Sequence, residues 1–173
     1  MESRLTFAKH PTHPILIIFP AAFFPLLVFL DILRAAYGAD IFWTVGFWIA
    51  VAGIVMTILA AIPGFVDYLG IPGGTRAKRT ATIHLTVGVI VLVLYALATW
   101  ARTPVGAPPA HLASGVVFDV LGLIGILVQG WLGGELVYRH HLGVLAEPEG
   151  GEPTALEGHA PQRRPMGRPG ERT

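Results

Sequence analysis

Residues 41–66, IFWTVGFWIAVAGIVMTILAAIPGFV, contain no charged side chain. A helix rises ~1.5 Å per residue, so about 20 apolar residues cross a hydrocarbon core of ~30 Å. This stretch reads as a transmembrane helix. Three further runs of similar length flank it, about Ile15–Ala36, Thr80–Ala101 and His111–Tyr138. The expected fold is all-α: a four-helix transmembrane bundle running up, down, up and down. An N-terminal segment (1–14) precedes the spans. From about Ala146 to Thr173 the chain turns to Gly, Pro, Glu and Arg, a composition that predicts a disordered, solvated tail.

Composition supports a lipid environment. Of 173 residues 53% are apolar and 13% charged, about half the charge that clothes a soluble domain. A formal net charge of +1 offers no concentrated basic face for nucleic acid. With no cysteine, the chain by itself builds no disulfide, thiol nucleophile or thiolate metal site. The first span is too long for a secretory signal and is interrupted by Pro20 and Pro25, so it is expected to remain as a helix.

Basic residues set the orientation. Four spans place both termini and the central loop on one side, with Arg4, Lys9, Arg76, Lys78, Arg79 and Arg139, against Arg34 and Arg102 on the other. The positive-inside rule then puts both termini in the cytoplasm. The prolines of Ile71-Pro72-Gly73-Gly74, Thr103-Pro104 and Pro108-Pro109 stop helices between the spans, and short connections make neighbours antiparallel.

Helices in lipid associate through small residues that let backbones approach. Gly46, Ala50, Gly53, Thr57, Ala60 and Gly64 form such a stripe on the second span. Gly122, Gly125 and the pair Gly130/Gly134 serve the fourth. Gln129 is placed to hydrogen-bond a neighbouring helix. No internal repeat is apparent in the sequence.

The ionisable residues gather at the cytoplasmic ends. His10 and His13 precede the first span, Asp67 closes the second, His84 opens the third, and Glu135, Arg139, His140 and His141 end the fourth. Intramembrane ionisable groups are costly and usually face the bundle interior, so a cluster from four helices is a candidate site. Glu135 and Arg139, four apart, form an expected ion pair. His84 is the one imidazole inside an otherwise uncharged span and needs a partner. At the other face, Asp31 with Arg34 and Asp119 with Arg102 are expected to neutralise one another.

His10-Pro11-Thr12-His13-Pro14, Pro63-Gly64-Phe65-Val66-Asp67, His84, and Gly130-Trp131-Leu132-Gly133-Gly134-Glu135 leading to His140-His141 resemble, in that order, the bacterial membrane family labelled domain of unknown function 2231. The likeness covers about residues 10–145. It implies a four-helix domain of the bacterial inner membrane, in some members fused to Rieske-type or cytochrome c-type redox modules. This chain carries no such module, so a redox partner would be a separate subunit.

Several functions are then open. One is a haem b electron-transfer subunit, with His13 and His84 as axial ligands, Arg76, Lys78, Arg79 or Arg139 pairing with propionates, and a quinone as the other reactant. Another is a non-catalytic accessory subunit of a larger membrane complex. A third is a proton or ion pathway through Asp67, His84 and Glu135, and a fourth a divalent-metal site from His10, His13, Asp67 and His84. No hydrolase or transferase motif is present.

Overall fold

The computed structural model of the protein describes residues 2–102 and 112–144. The 146–173 tail, His111 and the Thr103–Pro109 connection lie outside the described residues. Four long helices make up almost everything else: α1 Thr12–Tyr37, α2 Ile41–Gly70, α3 Arg76–Ala101 and α4 Leu112–Tyr138. All four are long and apolar enough to cross a membrane.

The helices begin and end where local chemistry dictates. α1 stops at Gly38, whose left-handed φ of 67° lets its N–H close onto the Arg34 carbonyl at 2.8 Å. Thr75 caps α3 by accepting from the Lys78 N–H at 3.1 Å. Three boundaries extend beyond the sequence expectation. α1 starts at Thr12, so His13 lies within the helix rather than before it, because Pro14 falls in the first turn, where its missing N–H costs nothing. α2 continues past Pro63 to Gly70, which places Asp67 one turn inside its end. α3 starts at Arg76, so Arg76, Lys78 and Arg79 stand on its first turn.

Ahead of α1, the strands β1 (Thr6–Phe7) and β2 (His10–Pro11) form a small antiparallel hairpin that the sequence did not announce. Its two turn residues, Ala8 and Lys9, both have positive φ (49° and 67°), the backbone that a two-residue hairpin turn demands. The Thr12 N–H bonds back to the Leu5 carbonyl at 3.0 Å and ties the hairpin to the start of α1.

Packing is closest within the pairs α1/α2 and α3/α4, and α1 and α3 face each other diagonally. The core forms on that diagonal. Phe24 and Tyr95, both wholly buried, stack with ring centres 3.6 Å apart and planes 6° from parallel, ringed by Leu27, Ala50 and Val91. Large apolar side chains such as Ile58, Val89, Leu127 and Trp131 point outward, as lipid-facing residues do.

The diagonal carries a regularity. His13 meets His84, Phe24 meets Tyr95, and Asp31 meets Arg102, each pair 71 residues apart. Under these side chains lie glycines of the adjoining helix. A Cβ at Gly53 would stand 2.5 Å from Phe24 and one at Gly122 2.7 Å from Tyr95; Gly64 lies beneath His13 and Gly133 beside His84. Gly64 and Gly133 are as far apart in the chain as Gly53 and Gly122. The bundle is thus two similar hairpins, α1/α2 and α3/α4, about an approximate two-fold axis. Beyond His13/His84 and a few glycines such as Gly53/Gly122 and Gly64/Gly133 the repeat is one of position and not of identity, too sparse for the sequence to display it.

The glycine expectation needs one correction. Gly53, Gly64, Gly122 and Gly125 do sit at close contacts, but a Cβ at Gly130 would meet nothing and one at Gly134 only Tyr138 of its own helix. Those two lie on the outward side of α4, and Gly133, next to them, faces the bundle.

Candidate functional site

Two polar layers lie on the diagonal, one near each end, separated by the Phe24–Tyr95 stack. In the first, the imidazoles of His13 and His84 stand edge to face, ring centres 6.4 Å apart and planes at 82°. His13 Nδ1 is 2.7 Å from the Ala60 carbonyl of α2. Pro63 has no N–H for the neighbouring Leu59 carbonyl, so the α2 backbone is already irregular at this level. Gly64 has no side chain to obstruct the ring, since a Cβ there would come within 2.8 Å of His13 Nδ1. On the other side Gln129 donates its amide to the His84 carbonyl at 3.0 Å, bridging α4 to α3 as its mid-span position suggested. His84 Nδ1 is buried with no hydrogen-bond partner among the described residues.

The remaining residues of this end do not all join the pair. Asp67 is engaged by Ser3, whose hydroxyl donates at 2.7 Å, and by the Arg4 N–H, also at 2.7 Å. Its role is to hold the N-terminal segment against α2. His10 Nδ1 is 2.9 Å from the Ala8 carbonyl within the exposed hairpin. Among the described residues no group of three or more His, Asp or Glu side chains is placed to hold a metal ion, so His10, His13, Asp67 and His84 do not assemble into one. Glu135 and Arg139 do pair, at 3.1 Å. They line an open cleft of about 640 Å³ between α3 and α4 with Arg76, Arg79, Thr80, Ile83 and His140.

The second layer is a buried ionic triad. Arg102, just past the end of α3, directs Nη2 to Asp31 Oδ1 of α1 at 2.7 Å and to Asp119 Oδ2 of α4. Its Nη1 donates to the Ala98 carbonyl at 3.2 Å, and its guanidinium lies over Trp43 of α2, 4.7 Å from the ring centre. All four helices therefore contribute. Gly46 lies against the guanidinium, where a Cβ would be in ordinary contact with Arg102 Nε at 3.6 Å.

The pairing of Asp119 with Arg102 is as expected from sequence, but that of Asp31 with Arg34 is not. Asp31 turns inward to Arg102, and Arg34 instead bonds Asp40 at 2.9 Å near the rim of the bundle and also stacks near Trp43. Proximity along a helix suggested the local pair, whereas the buried carboxylate needs the cation that reaches the interior. Trp43 and Tyr95 were not singled out from the sequence, because nothing in an apolar span distinguishes an inward aromatic from a lipid-facing one.

Four apolar helices with lipid-type exteriors and ionised groups confined to the interior or ends define an integral membrane protein. A family model described as "Predicted membrane protein (DUF2231)" matches residues 9–146, and the chain belongs to that family. No curated protein and no solved structure matches the chain significantly.

Proposed function

We propose that the protein is a membrane-embedded electron-transfer subunit that carries one haem b between His13 and His84. The observation behind this reading is the imidazole pair itself. One imidazole comes from each hairpin, the two rings face one another across the diagonal with centres 6.4 Å apart, and together they would hold the metal. The donor set also fits, since neutral histidine is a common haem ligand. With its Nδ1 proton donated to the Ala60 carbonyl, His13 presents Nε2 as the ligating atom and is fixed in orientation, the arrangement typical of ligating histidines. Bound haem would supply reversible one-electron transfer.

The chain's own residues perform the positioning. Gly64 keeps a side chain away from the His13 ring, Gly133 lies beside His84, and Gln129 fixes the α3 backbone at His84. Arg79 and Arg139, at the cleft beside this layer, are the candidate partners for propionates. A quinone or a separate redox subunit is the expected reactant at the same end. The bacterial inner membrane, with both termini cytoplasmic, is the matching location. Arg4, Lys9, Arg76, Lys78, Arg79 and Arg139 are at the imidazole end, and at the other end Arg102 is already neutralised inside the bundle.

A second reading, an accessory subunit without cofactor, is favoured by the open face at Gly130, which suits the approach of another helix. A through-going proton pathway is less well supported, because Asp67 is engaged by Ser3 and Arg4, and Phe24 and Tyr95 close the middle of the diagonal. The absorption spectrum of the detergent-purified full chain, oxidised and then dithionite-reduced, separates the first two. The haem reading expects a Soret band and a sharp reduced α-band, both lost in His13→Ala and in His84→Ala. A colourless protein from cells well supplied with haem would leave the accessory reading.

A further inference from the structure

We propose that Asp31 and Asp119 form a proton-binding site, in which one proton is held between the two carboxyls while Arg102 stays charged. The argument is one of charge count and burial. Arg102 and Asp119 are 1% and 0% exposed and Asp31 9%. Among the described residues, two carboxylates against a single guanidinium leave one uncompensated negative charge in this buried layer. Burial of an unpaired charge is costly, and a guanidinium does not give up its proton.

The geometry tightens the case. Both carboxylates bond the same nitrogen, Nη2 of Arg102, so they are close neighbours, and like charges so near one another favour uptake of a proton by one of them. Each also keeps one buried oxygen, Asp31 Oδ2 and Asp119 Oδ1, with no hydrogen-bond partner among the described residues. A proton placed there satisfies a lone pair and removes the excess charge at once.

Among the described residues, the other groups facing the triad do not supply the missing positive charge. From α1, Arg34 is turned to Asp40, at the start of α2. From α2, Trp43 offers only its ring face. From α3, Tyr95 directs its hydroxyl to the Asp119 carbonyl at 3.5 Å. A metal cation in place of the proton would need several more oxygens than the two free ones here. Asp31, the more exposed carboxyl, is the route of exchange with solvent. The site is at the opposite end of the diagonal from the imidazoles and stands whether or not haem binds.

Infrared difference spectroscopy of the full chain in lipid nanodiscs, with carbon-13 aspartate, tests this across about pH 5 to 9. The expected result is an isotope-shifted carbonyl band from one protonated aspartic acid. It should be lost in Asp31→Asn and in Asp119→Asn, since either substitution leaves one carboxylate for one guanidinium. Should one variant fail to fold, the other gives the same reading. Absence of the band from the wild type throughout, its survival in the folded variants, or its appearance only when sodium is replaced by a large organic cation would each overturn the proposal.

Discussion

Arg102 and Arg34 show how differently two arginines of one end can matter. Arg102 is enclosed by two carboxylates, a carbonyl and the Trp43 ring. Arg102→Gln should destabilise the bundle by about 3–5 kcal/mol, because it strands a buried carboxylate. Arg34 pairs with an Asp40 whose side chain is 86% exposed, so removing that pair by Asp40→Asn should cost no more than about 1 kcal/mol. Unfolding of both variants in mixed micelles gives the comparison, and equal losses would contradict the assignment of the triad. At this scale the sequence was partly legible. His84 stood out as a lone imidazole in an uncharged span, and its partner is His13, which sits deeper than expected because the helix starts at Thr12. The partner of Asp31 was hidden because it lies 71 residues away, past the end of a diagonal helix.

Among the elements, the glycines divide into two kinds. Gly122 lies under the Tyr95 ring, and any side chain there collides with a wholly buried aromatic, so Gly122→Leu should unfold the protein or separate the hairpins by overpacking. Gly130 faces outward, and Gly130→Leu should leave the monomer's thermal stability unchanged within about 0.5 kcal/mol. Comparable damage from both would contradict the inward and outward assignment of α4. Sequence spacing identified small-residue faces but not which glycine of Gly130, Gly133 and Gly134 looks inward. Helix phase on α4 is fixed by contacts with Tyr95, Val91 and His84, which no local pattern records. The extents of the helices were legible to within about a turn; the α1 start was displaced because Pro14 fits the first turn, and α2 and α3 run on into the polar residues at their ends.

For the whole molecule, four spans were evident from apolar length, because apolar runs of this size have no other solvent than lipid. The approximate two-fold relation between hairpins was not, since beyond His13/His84 and a few glycines the corresponding residues differ, Phe24 from Tyr95 and Asp31 from Arg102. That relation explains why polar groups meet on the α1/α3 diagonal. It leaves an imidazole from each hairpin on the axis at one end and an uneven set of charges at the other. The claim that these imidazoles share one iron is tested most directly by low-temperature electron paramagnetic resonance of the oxidised full chain. The account predicts a single low-spin haem signal, converted to high spin or lost in His84→Ala. Protein made with ample haem that shows no such signal, or one unchanged in His84→Ala, would contradict it.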